Sequence, residues 1–281
     1  MGSKSVLTVG LGEVGSAIYE IIVESGRYEA FGYDKDPSRT VNKPDEILVP
    51  IDYLHVCIPY TSQDNFIGAV EEYVKRYRPS LIIVHSTVAP GTTRRLTEKL
   101  EAPVAYSPVR GKHPRLKEHI LFWPKWVAAL SVRALDEVAC HLRDIGLKVK
   151  VYEGSPETLE LAKLFETVYR ALIIAWWQET HRIARRFNAD IVTIAEFVAE
   201  VNSVLGDRPI LYPGVIGGHC LIPNTKILRS VCESKFLDAI LESNKRREEE
   251  INDLEIKKEV EKLREIAYRY INRQYFKNVK P

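Results

Sequence analysis

The sequence predicts an α/β protein in two parts, a doubly wound parallel sheet followed by an all-helical domain. Three observations carry this. Short β-rich runs alternate with helical patterns through the first half, the arrangement of right-handed βαβ units. A Gly10-x-Gly12-x-x-Gly15 turn stands between the first strand-like run and the first helical one, which is the context of a Rossmann-type dinucleotide turn. After Tyr152 the alternation stops, and long stretches hold apolar residues at helical spacing only. At roughly 150 residues per domain the 281 residues make two. The sheet domain is expected over 1–153 and a helical central and dimerisation domain over 154–250, with 251–281 as a C-terminal helix or tail.

In order, residues 5–9, 28–33, 54–58, 81–85, 104–106, 126–130 and 148–152 read as strands, being short, apolar and β-rich. Residues 14–23, 66–77, 92–100 and 134–142 read as helices. Residues 156–186 hold no glycine and no proline after Pro156, and Leu159, Leu161, Leu164, Phe165, Val168, Leu172 and Ala175 recur every three to four positions. One helix of about 45 Å is the consequence. A second helix is expected over 191–204, before a loop over 206–218. Residues 235–280 again lack both helix breakers, and Ile251, Leu254, Leu263, Ile266 and Ile271 space as helix. The mixed charges of 245–281 read as a solvated amphipathic helix or a dimer arm.

Composition narrows the class. Apolar residues at 45% and charged residues at 28% are globular values. A net charge of +2 gives no reason to expect nucleic acid or a membrane surface as partner. No apolar run approaches the roughly 18 residues of a spanning helix, and the longest, around 171–177, is broken by Gln178-Glu179. Met1-Gly2-Ser3-Lys4 leads straight into a strand-like run, with no signal peptide expected. Four cysteines without a CxxC pair argue against a structural metal site or a disulfide framework. Reduced thiols and a cytoplasmic location are expected.

In the turn, Gly10 allows the sharp bend, Gly12 lets the backbone approach a pyrophosphate, and Gly15 lets helix and strand pack closely. Leu11, Glu13 and Val14 complete it, and the helix start offers N–H groups and partial positive charge. Asp34 ends the second strand at the spacing where an acid accepts ribose hydroxyls. An acid there favours NAD, since a 2′-phosphate would be repelled; Lys35 beside it weakens that preference. Pro59, Ser86 and Thr87 are assigned to the same cofactor edge.

Two further motifs are ambiguous alone. Residues 86–93 (Ser-Thr-Val-Ala-Pro-Gly-Thr-Thr) end a strand and start a helix, as any Ser/Thr-capped loop does. In residues 213–220 (Pro-Gly-Val-Ile-Gly-Gly-His-Cys) the paired glycines Gly217 and Gly218 expose the side chain after them, so Cys220 is open to a substrate; alone, a buried cysteine at a helix start is the better reading. Together with residues 163–179 (Lys-Leu-Phe-Glu-Thr-Val-Tyr-Arg through Gln-Glu), they give the chain its resemblance to the UDP-glucose/GDP-mannose dehydrogenase family. The nearest branch oxidises UDP-N-acetylhexosamines, and order and spacing hold over about residues 5–245.

The resemblance implies NAD-dependent oxidation of a primary alcohol, through an aldehyde, to a carboxylate. It makes Cys220 the nucleophile of a thiohemiacetal and thioester route. It makes Lys163 the cation that stabilises the alkoxide, and Thr87 a group that positions substrate or water. The departures matter as well. Thr167 stands where the family has Asn, and Asn224 where it has Asp, able to orient water but not to take its proton. Val109 replaces the glutamate after Ser107-Pro108. His113 replaces a second acid, so His113 or His219 is a candidate base.

Family members carry a third, nucleotide-binding domain after a long helix, and this sequence is expected to lack it. Arg110, Lys112, His113 and Arg115 then offer themselves to an anionic substrate group, or form a solvated basic loop. Two other readings stay open: a two-electron β-hydroxyacid-type dehydrogenase, and a catalytically degenerate NAD-binding protein. A homodimer through the central helices is expected under all three, because the 156–186 helix has more apolar surface than one small domain can cover.

Overall fold

Strands whose central members are buried at every residue build the first half of the molecule. The structure, a computed structural model, describes residues 4–100 and 102–269, and its chain divides into two compact units, Met1–Lys163 and Leu164–Pro281. In the first unit, strands β1 (Ser5–Val9), β2 (Glu29–Tyr33), β3 (Tyr53–Val56), β4 (Leu81–Val84), β5 (Val104–Tyr106), β6 (Lys125–Ala129) and β7 (Val149–Val151) form one sheet of order β2-β1-β3-β4-β5-β6-β7. The helices between them are α1 (Glu13–Ser25), α2 (Gln63–Tyr77), α3 (Thr92–Leu100), α4 (Leu116–Phe122) and α5 (Val132–Asp144). The doubly wound α/β expectation is met.

Successive strand residues feed opposite faces. Val6, Leu81 and Ile83 pack with Ile18 and Ile22 of α1, Ile120 of α4 and Val138 of α5. Leu7, Ile82 and Val84 pack on the other side with Phe66 and Val70 of α2 and Leu96 of α3. Leu159, near the start of α6 (Pro156–Arg186), joins this second face.

Neighbouring strands run parallel with one exception, β5 against β6, where Ala105 faces Ala129. Between them lies α4, an element the sequence pattern did not reveal. Seven residues long, it advances the chain only about 10 Å, too little to return it to the start of a parallel strand.

The second unit is helical: α6 from Leu164 onward, then α7 (Ile191–Leu205), α8 (Leu221–Val231), α9 (Lys235–Glu250) and α10 (Leu254–Arg269). Trp177 and Ala184 of α6, Ile191, Ala195 and Ala199 of α7, and Leu263 and Ile266 of α10 form its core. Residues 156–186 form one helix as expected. The run from 235 does not: a turn at Ile251–Asp253 divides it, and the Asp253 carboxylate accepts from the backbone N–H of Glu255 at 2.8 Å to start α10. The helix start read at Cys220 is the beginning of α8, whose extent the sequence pattern did not give; Pro223 sits in its first turn, where proline is tolerated. Expectations for Ile271 and the tail from 270 fall outside the described residues. No helix of the described residues is long and apolar enough to cross a membrane.

Candidate active site

Strand register gathers the first set of site residues. Val9 is level with Tyr33 and Val56, Val56 with Val84, and Val84 with Tyr106. The next residue of each strand therefore lies on one edge, the carboxyl edge. The ladder continues there, with N–H groups of Gly10, Cys57, His85 and Ser107 donating to Tyr33, Val9, Val56 and Val84 carbonyls at 2.9 Å. After β1 the chain moves to β2 and then crosses back to β3, so the topological switch point lies between β1 and β3. Ligands of open α/β sheets bind at such a point.

The glycines there are required by space. Gly10 has φ of +84°, and a β-carbon on it would stand 2.8 Å from the Cys57 carbonyl. A β-carbon on Gly15 would stand 1.8 Å from the Gly10 oxygen. Gly15→Ala is therefore expected to push α1 off the turn and to cost about 3 kcal/mol or more, read as a lower urea midpoint together with lost NAD affinity in a calorimetric titration.

Gly12 differs: the nearest atom to its β-carbon position is an Arg39 guanidinium nitrogen at 3.7 Å, and no side chain caps α1. An open helix start with a cation beside it suits a pyrophosphate. Leu11 is buried, Glu13 exposed and Val14 half-buried. Asp34 directly follows β2, and its carboxylate accepts from the Asp36 N–H at 2.8 Å; Lys35 is exposed. Pro59 is exposed on the same edge, and Ser86 donates from its hydroxyl to the Ile58 carbonyl at 2.6 Å, with Thr87 half-buried next to it. These residues fit a dinucleotide. Arg39 was missed, since nothing in the sequence links it to a glycine 27 positions earlier.

The 86–93 motif is fixed by a residue that no sequence motif marks. Glu160, buried in α6, accepts from the N–H groups of Gly91 and Thr93 at 2.6 and 2.8 Å and from the Thr93 hydroxyl at 2.6 Å. These bonds cap α3 and anchor the first turn of α6. Lys163, three residues on and half-buried, shares that helix face.

The loop after β5 is also tied down. Val109 is core, so the missing carboxylate is replaced by packing. Arg110 donates to the Pro124 carbonyl at 2.7 Å and lies over the Trp123 ring. Lys112 donates its backbone N–H to His119 at 3.0 Å, while His113 is exposed.

In the second unit, two polar side chains hold the cysteine loop. Gln178 of α6 donates to the Gly214 carbonyl at 2.7 Å, and Asn244 of α9 accepts from the Ile216 N–H at 2.6 Å. Ser243 donates to Gln178 at 2.7 Å and orients it. Beyond these anchors Gly217, Gly218, His219 and Cys220 are exposed. Cys220 directly precedes α8, and Asn224 lies one turn on, buried, its N–H donating to the Cys220 carbonyl at 2.9 Å. Thr167 is buried in α6, its hydroxyl 3.4 Å from Glu166.

Residues 157–247 match the UDP-glucose/GDP-mannose dehydrogenase family, central domain. Over these residues the chain is similar to that family's central domain. The resemblance read from residues 86–93, 163–179 and 213–220 is borne out. A UDP-N-acetyl-D-mannosamine dehydrogenase of Methanococcus maripaludis is 24% identical over 86% of this chain, and the chain spans 65% of that relative's length. Among solved structures, the UDP-D-ManNAc dehydrogenase of Pyrococcus horikoshii superposes with a TM-score of 0.72 at 19% identity, covering 86% of this chain and 68% of that one. A 3-hydroxyisobutyrate dehydrogenase of Mycobacterium tuberculosis superposes at 0.64 with 13% identity, covering 90% of this chain and 95% of that one. At these identities the structural matches speak for the fold.

Proposed function

We propose that the chain is an NAD-dependent dehydrogenase that oxidises a primary alcohol on a nucleotide-sugar-like substrate, working in a reduced, cytoplasmic setting. The observation that carries this reading is the carboxyl edge at the β1/β3 switch point, where Gly10, Gly12, Gly15 and Asp34 fit a dinucleotide, in a chain that is also similar to the family's central domain over residues 157–247. Gly10–Gly15 would take the pyrophosphate and Asp34 the ribose. NAD, when bound there, supplies the acceptor for the hydride of each oxidation.

The chain's own residues do the rest. Lys163 stabilises the negative charge that develops on the alcohol oxygen as it loses its proton. The Cys220 sulfur then adds to the aldehyde carbon as a thiolate; the thiohemiacetal is oxidised to a thioester, and water cleaves the carbon–sulfur bond to release the carboxylate. Asn224, one turn beyond the thiol, and Thr167 orient that water, Thr87 positions substrate, and His113 or His219 takes the water's proton. Gly217 and Gly218 keep the approach to sulfur open, and Arg110 and Lys112 favour an anionic substrate group.

NADH formation with UDP-N-acetylhexosamines and with small 3-hydroxyacids tests the reading. Turnover of the former supports it. Turnover of the latter alone moves the chain to the β-hydroxyacid type, whose two-domain length it shares. NAD binding without turnover makes it a degenerate relative.

A homodimer through the central helices belongs to the same proposal. Phe165, Tyr169, Trp176 and Ile183 are all exposed, and their spacing puts them on one stripe of α6. Burying that stripe against a second copy removes it from water. Light scattering is expected to give twice the chain mass. Trp176→Glu, which sets a charge in the middle of the stripe, is expected to weaken association by about a hundredfold or more.

A further inference from the structure

Four basic side chains lie in line inside the first unit, and none belongs to the chemistry described above. Both ring nitrogens of His55, on β3, are engaged: Nδ1 lies 2.9 Å from Nε2 of His85, and Nε2 lies 2.8 Å from Nε2 of His141 on α5. His85 Nδ1 lies 2.8 Å from the Ser107 carbonyl and 3.2 Å from Nζ of Lys125. Lys125, the first residue of β6, donates to the carbonyls of Ser107 and Pro108 at 2.7 and 3.0 Å. All four side chains are buried. At the far end His141 Nδ1 is buried without a hydrogen-bond partner among the described residues.

The line crosses the sheet. Lys125 and His85 stand at the carboxyl edge with Ser107, whereas His141 packs on Tyr53, the first residue of β3. The groups facing the line are Cys57 after β3, Arg110 after β5 and Lys163 of α6 around Lys125. Lys4, before β1, and the rings of Tyr28 and Tyr53 face His141.

Each contact between two ring nitrogens needs a proton on one and a lone pair on the other. With a neutral Lys125 amine, every bond can be made in one sense. His141 Nε2–H donates to His55, His55 Nδ1–H to His85, and His85 Nδ1–H to Ser107 and the amine lone pair. With a charged ammonium donating to His85 Nδ1, the His85 bond to Ser107 is given up, the Ser107 carbonyl still accepting from the ammonium at 2.7 Å, and all three imidazoles carry their proton on the opposite nitrogen. The charge of one lysine thus sets the tautomer of three histidines.

We propose that His141, His55 and His85 are a proton conduit that loads and unloads the Lys125 amine at the carboxyl edge of the sheet. A proton arriving at His141 Nδ1 forms an N–H bond there. The Nε2 proton of His141 moves to His55 Nε2, the Nδ1 proton of His55 to His85 Nε2, and the Nδ1 proton of His85 to Lys125. Four N–H bonds form, three break, and one proton has passed from the His141 end to the amine.

Burial keeps the carriers neutral. It holds His55 and His85 well below the usual imidazole range and His141 at about 3. Burial also lowers Lys125 to about 7, with Arg110 and Lys163 adding to the effect and Cys57 opposing it. The conduit needs only the first unit, so it stands or falls apart from the dehydrogenase reading.

Nuclear magnetic resonance of the full chain, labelled with nitrogen-15 in histidine and lysine and without ligand, tests it from about pH 6 to about pH 9. His85 and His55 are expected to carry their proton on Nδ1 at the alkaline end and on Nε2 at the acid end, with one midpoint shared with Lys125 Nζ. Lys125→Met is expected to lose the exchange of tautomers and keep the Nδ1 forms throughout. The wild-type titration alone decides should that variant not fold. In His141→Phe, loss of fast exchange between the Lys125 amine and solvent is expected. Rings that keep one tautomer while Lys125 titrates, an exchange of tautomers that survives Lys125→Met, or unchanged amine exchange in His141→Phe would overturn the conduit.

Discussion

Cys220→Ser protein is expected to convert its alcohol to the aldehyde and to make carboxylate at least about a thousandfold more slowly than the wild type. The reason is chemical. A thiol gives a few per cent of its anion near neutral pH, and a serine hydroxyl gives essentially none. The exposed position of residue 220, on a loop held from behind by Gln178 and Asn244, leaves the substitution without structural cost, so an unchanged urea midpoint should accompany the loss. Lys163→Ala is the complement: it removes the cation proposed to stabilise the alkoxide, so both oxidations are expected to slow together. Mass spectrometry of products, with aldehyde trapped by a hydroxylamine, separates the two outcomes. Carboxylate formed at the wild-type rate by Cys220→Ser would assign the second oxidation to another group.

Stability should fall as pH drops from about 6.5 to about 4.5, by about 2 kcal/mol in urea denaturation from His141 alone and by more with the other buried histidines. Burial lowers His55, His85, His141 and His181 below 6.5 in the folded chain. In that window the unfolded chain binds more protons than the folded one, so acid favours unfolding. The stabilising carboxylates behave alike but lower down: hydrogen bonds and ion pairs hold Glu71, Asp190 and Glu259 below their ordinary range, and their contribution is lost only below about pH 4.5. Glu160, raised by burial, works in the opposite direction. Above neutrality, Lys125 adds a rise, since its folded value near 7 lies below the unfolded 10.5. His141→Phe should flatten the acid limb, and an unaltered slope in that variant would remove the histidine line as its cause.

Features that depend on neighbours in the chain were legible in the sequence. The glycine turn was one, because each glycine answers a local demand, a positive φ at Gly10 and a close approach at Gly15. The α6 helix was another, because 31 residues repeat one period without a breaker. The cysteine loop was visible, but the groups that hold it were not: Gln178 and Asn244 reach it from 36 and 28 positions away. The histidine line was invisible for the same reason, its members lying 30 and 86 positions apart along the chain. Buried polar groups find partners through the fold, and no spacing in the sequence announces them.

Signals that competed locally also misled. Ile251 and Leu254 kept the helical period across a turn that Asp253 creates by capping the next helix. The reversed β6 could not be foreseen, because a strand's direction depends on how far its connection travels.

The number of NADH molecules formed for each nucleotide sugar consumed tests the central claim most directly. Two NADH and one carboxylate per substrate is the result predicted for an alcohol that Lys163 and Cys220 together carry to the acid. One NADH, with the aldehyde as end product and no effect of Cys220→Ser, would contradict it.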